Sequence, residues 1–191
     1  MTVLFEDLFF KIKDEGSLPG AVFVLDGEPQ KRDLKQIGLF EGGELLLIRA
    51  ENKWMIIKGK KNQTVYVDGV CEKSDLFAHL HPPDTLFAYL PSCVDVFTAG
   101  CSGKPEYIIS GEGITFYGEA TNNPIDGSIW RPSEEYEIEN AFMAFLALQA
   151  KISSFHCYEA VCRQFFERLG TGLRIKKWDD LPEKGVFAAF Q

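Results

Sequence analysis

A chain of 191 residues is long enough for one well-packed domain and short for two. Hydrophobic residues at 46%, aromatics at 13% and 16 phenylalanines exclude a disordered or low-complexity protein and predict a large core. A formal net charge of -8 excludes the concentrated Lys and Arg surface that nucleic acid requires, and suits a partner with a basic face or tail.

In chain order, Leu4, Phe5, Leu8, Phe9 and Ile12 recur at helical spacing, so residues 3–13 are predicted helix, stopped by Gly16. Ala21–Leu25 is a short apolar run between Pro19-Gly20 and Asp26-Gly27, a buried strand. Residues 28–38 are polar, a loop or short helix anchored by Leu34 and Ile37. Glu44–Arg49, Trp54–Lys58 and Thr64–Val67 are predicted as a meander of antiparallel strands, and Leu76–His81 as the next strand. Tyr107–Ser110 and Ile114–Tyr117 flank Gly111-Glu112-Gly113, a predicted hairpin. From Pro132 the pattern turns helical. Ser133-Glu134-Glu135 reads as a helix start, and Ile138, Ala141, Phe142, Phe145 and Leu148 form one apolar face. A second helix follows Ser153-Ser154, with Tyr158, Val161, Cys162, Phe165 and Leu169 on its stripe and Gly170 as its stop. Leu173–Trp178 and Val186–Phe190 are predicted as two final strands. No internal repeat or linker interrupts the chain, so residues 1–191 are expected to form a single α/β domain.

Cys71, Cys93, Cys101, Cys157 and Cys162 contain no CxxC pair and are odd in number, which predicts reduced, mostly buried thiols. The opening residues carry no basic signal segment, and no apolar run is long enough to span a bilayer. These features together predict a cytoplasmic protein with no membrane partner. Its oligomeric state is left open.

Two of the three histidines, His79 and His81, are one residue apart. On a strand, residues i and i+2 point to one face, so both imidazoles can grip one metal ion. Pro82 ends the strand, because it has no N–H for a ladder. Asp95, with Ser92 three residues earlier, can add a carboxylate. Two His, one carboxylate and an open position make the ligand set of a catalytic zinc site. Ser92 is equally suited to cap a helix beginning near Cys93.

His79-x-His81-Pro82 followed by Ser92-x-x-Asp95 resembles the signature of JAMM/MPN (JAB-domain) zinc metalloproteases. The stretch Tyr107–Ile114 is similar to the hairpin that follows that motif. The resemblance covers about residues 1–120 and is most specific over 77–95. It implies a fold related to cytidine deaminases, a central mixed β-sheet flanked by helices. It also implies a zinc cofactor held by His79, His81 and Asp95, and hydrolysis of isopeptide or peptide bonds, often beside a ubiquitin-like protein. Ser92 matches the serine that donates a hydrogen bond to the oxyanion. The catalytic glutamate lies on an early strand in the family. Glu44 is the first candidate for this general acid/base, Glu41 the second and Glu28 the third. The spacer 82–91 is longer than is usual in the family, and an insertion in a loop costs little. A deaminase proper would need HxE and PCxxC, and the chain has neither. Two other readings stay open: a JAMM-like peptidase on short or cell-wall peptides, and a metal-free MPN-type scaffold that binds a partner without catalysis.

The remaining features have plain readings. Thr98 is a candidate neighbour of the ligands. His156 is expected on a helix surface or beside core aromatics, not as a ligand, and Cys93 as a buried thiol. Trp130 and Trp178 are either half-buried or substrate contacts.

Overall fold

The structure, a computed structural model, describes residues 2–3, 5–13, 18–61, 63–81, 83, 88–92, 95, 99, 105–120, 159–160, 163 and 171–191. Among these, eight strands form a mixed α/β sheet: β1 (Thr2–Val3), β2 (Val22–Leu25), β3 (Leu45–Ala50), β4 (Lys53–Lys58), β5 (Ser74–Leu80), β6 (Glu106–Ile109), β7 (Gly113–Ala120) and β8 (Thr171–Lys177). Their order across the sheet is β1-β2-β4-β3-β5-β6-β7-β8. Two helices are described, α1 (Phe5–Lys13) and α2 (Lys31–Gly38). The expected helices over 133–169 lie outside the described residues, apart from Glu159, Ala160 and Arg163, which are helical. His156, Trp130, Thr98 and the cysteines other than Cys71 lie outside them too.

By contact the chain divides into two compact units. One comprises Met1–Tyr89, Tyr107–Ile114 and Lys176–Gln191, the other Leu90–Glu106 and Thr115–Ile175.

In the first unit, α2 begins where Gln30 donates its backbone N–H to the Asp33 carboxylate at 2.8 Å, a capping box that supplies one of the bonds a helix start lacks. Its buried anchors are Leu34 and Ile37. β3 and β4 pair antiparallel through a two-residue turn, Glu51-Asn52, both at positive φ. That conformation matches the twist of the flanking strands, and Asn tolerates it well. β5 then pairs antiparallel with the free side of β3, Leu46 opposite His79, and parallel with β6, His79 beside Ile108.

Strand alternation gives this sheet two faces. On one, Leu46, Ile48 and Ile57 pack with Cys71, and Met55, Val67, Val70 and Phe77 join them. On the other, Trp54 stacks on Phe187 at 5.5 Å, and Tyr107 meets the edges of Phe187 and Phe190. Burial pushes the Cys71 thiol above its ordinary pKa, as befits an inert core sulfur.

Two expected strands are corrected. Thr64–Val67 forms no strand, despite its β-branched and aromatic residues. β3 is already flanked by β4 and β5, and β4 by β2, so no ladder position remains for it. The segment instead lays Val67 and Val70 on the Cys71 cluster. Val186–Phe190 is not a strand either: Phe187–Phe190 is a 3-10 turn. A period of three puts Phe187 and Phe190 on one side, where both reach Tyr107. A strand would have sent them to opposite faces.

In the second unit, Arg174 lies over the Phe116 ring at 4.4 Å, and Arg163 donates to the Leu173 carbonyl and to Glu159. No helix among the described residues is long and apolar enough to cross a membrane.

Candidate metal centre

β5 is a central strand, and its C-terminal end carries the histidines. Leu80 and Ala78 alternate towards the Phe187 face and are fully buried, which leaves His79 on the face of Leu46 and Phe77. The strand ends at Leu80, so His81 is the first residue beyond the ladder. Both imidazoles are buried, at 6% and 8% exposure, which is low enough to make a bare solvated pair untenable. Their Nε2 atoms are 3.0 Å apart.

The spacing bears on metal fit. Two zinc–nitrogen bonds of about 2.0–2.1 Å at a tetrahedral angle would separate the nitrogens by about 3.3–3.4 Å. The observed separation is within a few tenths of an ångström of that. Asp95 supplies the third group: His79, His81 and Asp95 each offer one ligand atom, and these all lie within 4.8 Å of one another. Imidazole and carboxylate donors suit zinc and other borderline divalent ions, so the donor set could hold a divalent metal ion.

Asp95 is held in place locally. The Ser92 backbone N–H donates to Asp95 Oδ2 at 2.7 Å, and the Asp95 N–H donates to Ser92 Oγ at 3.3 Å. Asp95 is helical, so this reciprocal pair is a capping box at a helix start. It fixes the carboxylate through one oxygen. The Ser92 hydroxyl, accepting in that bond, keeps its proton as a donor.

Glu44 precedes β3 and is half-buried, whereas Glu41 and Glu28 are exposed. Its backbone continues the ladder with the β4 side: Glu44 N–H donates to Lys60 O at 2.9 Å, and Gly59 N–H donates to Glu44 O at 2.8 Å. Gly43, at φ +112, and Gly59 permit this approach, since a Cβ on Gly59 would sit 2.7 Å from Glu44 O. Leu46 pairs with His79, and Glu44 and His81 lie two residues further on, each just beyond the end of its strand. Trp178 is buried rather than half-buried, and its Nε1–H donates to Ser110 O at 3.1 Å and Gly111 O at 3.0 Å.

One feature of this region was missed in the sequence. Tyr117, fully buried on β7, donates its hydroxyl to Glu106 Oε2 on β6 at 2.7 Å. Burial first, then the charges of Glu106 and Asp95, push the Tyr117 phenol well above its ordinary pKa. The Gly-Glu-Gly turn was the available signal. Counting outward from the Ser110–Gly113 closure pairs residue 106 with residue 117.

No family model, curated protein or solved structure matches this chain. The reading of the centre therefore rests on its own residues: two buried imidazoles and a carboxylate whose ligand atoms converge.

Proposed function

We propose that the protein is a zinc-dependent hydrolase of isopeptide or peptide bonds with a JAMM-like fold. The observation that carries this reading is the convergence of His79, His81 and Asp95 ligand atoms within 4.8 Å. A divalent ion there would acidify a water molecule and polarise a carbonyl oxygen. His79 and His81 would bind it as neutral imidazoles, and Asp95 as a carboxylate aimed by Ser92.

The protein groups then have distinct tasks. Glu44 accepts the water proton as that oxygen attacks the amide carbon, and returns it to the leaving amine. The Ser92 hydroxyl donates to the carbonyl oxygen as it gains negative charge. The burial of both histidines keeps bulk water away, which strengthens these interactions.

The resemblance of the HxHP and SxxD segments to JAMM/MPN enzymes supports the C-terminal tail of a ubiquitin-like modifier as the substrate class. Such a tail is extended and can lie along a strand edge. Short or cell-wall peptides are the alternative substrate. Protein purified without affinity metals is expected to carry one zinc per chain and to cleave an amide-linked ubiquitin-like fusion, with activity lost in chelator. Absence of bound metal together with chelator-insensitive stability would favour the metal-free scaffold. Cleavage of short peptides alone would move the substrate to that class.

A further inference from the structure

His79 is the ligand that the sheet itself surrounds. In the antiparallel pairing of β5 with β3 it stands opposite Leu46, and in the parallel pairing with β6 it stands beside Ile108. Paired residues on neighbouring strands point to the same face, with Cβ atoms about 4.5–5.5 Å apart across an antiparallel pair. Both neighbours are buried, Ile108 completely. Leu46 in turn packs in one cluster with Ile48, Ile57 and Cys71, and close packing leaves it little room to yield. The imidazole is therefore flanked, across the strands, by two branched aliphatic side chains.

A ligand atom at the far end of a histidine ring needs such walls. The ring torsion of histidine is broad rather than confined to staggered wells, so the backbone alone does not fix where the ring lies. Nε2 is the atom that approaches His81, at 3.0 Å, and it is far from the backbone, so a small rotation displaces it most. A metal site works only when its ligands are held within about 0.5 Å of the productive geometry.

We propose that Leu46 and Ile108 are positioning residues of the metal centre: they clamp the His79 ring between them and hold Nε2 where the ion needs it. This inference rests on the His79–His81–Asp95 reading. Neither side chain is a ligand in this scheme. They act by preorganisation, so that the ion does not have to order the ring when it binds. Groups that orient a ligand from outside the coordination shell commonly change metal affinity by about 10- to 100-fold when replaced.

The test is a zinc titration of the full chain against a chromophoric chelator. Thermal unfolding of the metal-free protein is measured in parallel, and the visible spectrum of the cobalt-loaded protein is a second readout. Leu46→Ala removes one wall. Zinc affinity is expected to fall about tenfold and the cobalt bands to shift. Leu46→Ile restores the volume and should recover most of the loss. Ile48→Ala is the matched control: it empties a position of the same strand and the same buried cluster, but one opposite Phe77 rather than His79. It should lower the stability of the metal-free protein comparably and leave zinc affinity and the cobalt spectrum unchanged. Should Leu46→Ala not fold, Ile108→Val trims the other wall by one methylene, and a smaller loss of affinity is expected. Wild-type affinity in Leu46→Ala, or in Ile108→Val where that variant stands in, overturns the clamp and leaves the ligand set standing. An equal loss in Ile48→Ala does the same, because the effect would then be one of general packing. No zinc binding by the wild-type chain overturns both.

Discussion

Replacing Glu44 by Gln separates metal binding from proton transfer. The pairing of Leu46 with His79, if it continued two residues further, beyond the strand ends, would bring Glu44 opposite His81. Directly opposed residues of an antiparallel pair have Cβ atoms about 4.5–5.5 Å apart. A glutamate carboxylate at that distance reaches a water beside an ion on His81. Gln keeps the shape and a hydrogen-bond acceptor but cannot take a proton at neutral pH. A positioned general base contributes about 10²- to 10⁴-fold, or about 2.7–5.5 kcal/mol of barrier. Glu44→Gln should therefore lower kcat by that factor while metal content, measured by atomic emission, stays at the wild-type ratio. Glu41→Gln, at an exposed position before Gly42-Gly43, should change kcat by less than about twofold, well below the range for a base. Full turnover in Glu44→Gln would refute the register argument. Loss in Glu41→Gln would reassign the base.

His81→Ala should abolish zinc binding and activity together, and chelator should lower the wild-type Tm. At free zinc about 1,000 times Kd the ion stabilises by about 4.1 kcal/mol, a shift of about 8–16 °C for a chain of this size by calorimetry. Gly59→Ala should impair turnover more than Gly27→Ala, where a Cβ meets nothing, because the new methyl carbon would press on Glu44 O and Gln63 O at 2.7 and 2.6 Å. Arg49 holds Asp75 through a bidentate hydrogen bond, which lowers the Asp75 pKa first and foremost. A lowered folded pKa adds stability above the unfolded value of about 3.9, lost as pH falls through the folded one. Both side chains are more than a third exposed, so solvent screening limits the pair to about 0.2–1 kcal/mol. Asp75→Asn should cost that much in urea unfolding at pH 7 and nothing once the wild-type Asp75 is protonated.

What could be read in the sequence follows the range of the interactions. The i, i+2 histidines and the i, i+3 Ser92–Asp95 pair are local, and local geometry is fixed by secondary structure alone. Both were legible, including the reading of Ser92 as a helix cap. Thr64–Val67 has the composition of a strand, but whether it pairs depends on which ladder positions β2 and β5 already hold, and that is non-local. Val186–Phe190 reads as an apolar run, and an apolar run does not reveal its period. Only the positions of Trp54 and Tyr107 make the three-residue spacing of the phenylalanines favourable. The Glu106–Tyr117 bond lay one residue outside the expected β6, so the hairpin was foreseen without this pair.

The histidine pair alone does not choose between a metal site and a plain imidazole–imidazole hydrogen bond, since 3.0 Å suits both. The choice turns on Asp95. A hydrogen-bonded pair of neutral imidazoles has no need of an acid whose oxygen lies within 4.8 Å of both rings. Nor does it need a helix start that spends its capping box on aiming that acid. Metal therefore explains the acid and the histidines together, whereas the hydrogen bond explains only the histidines.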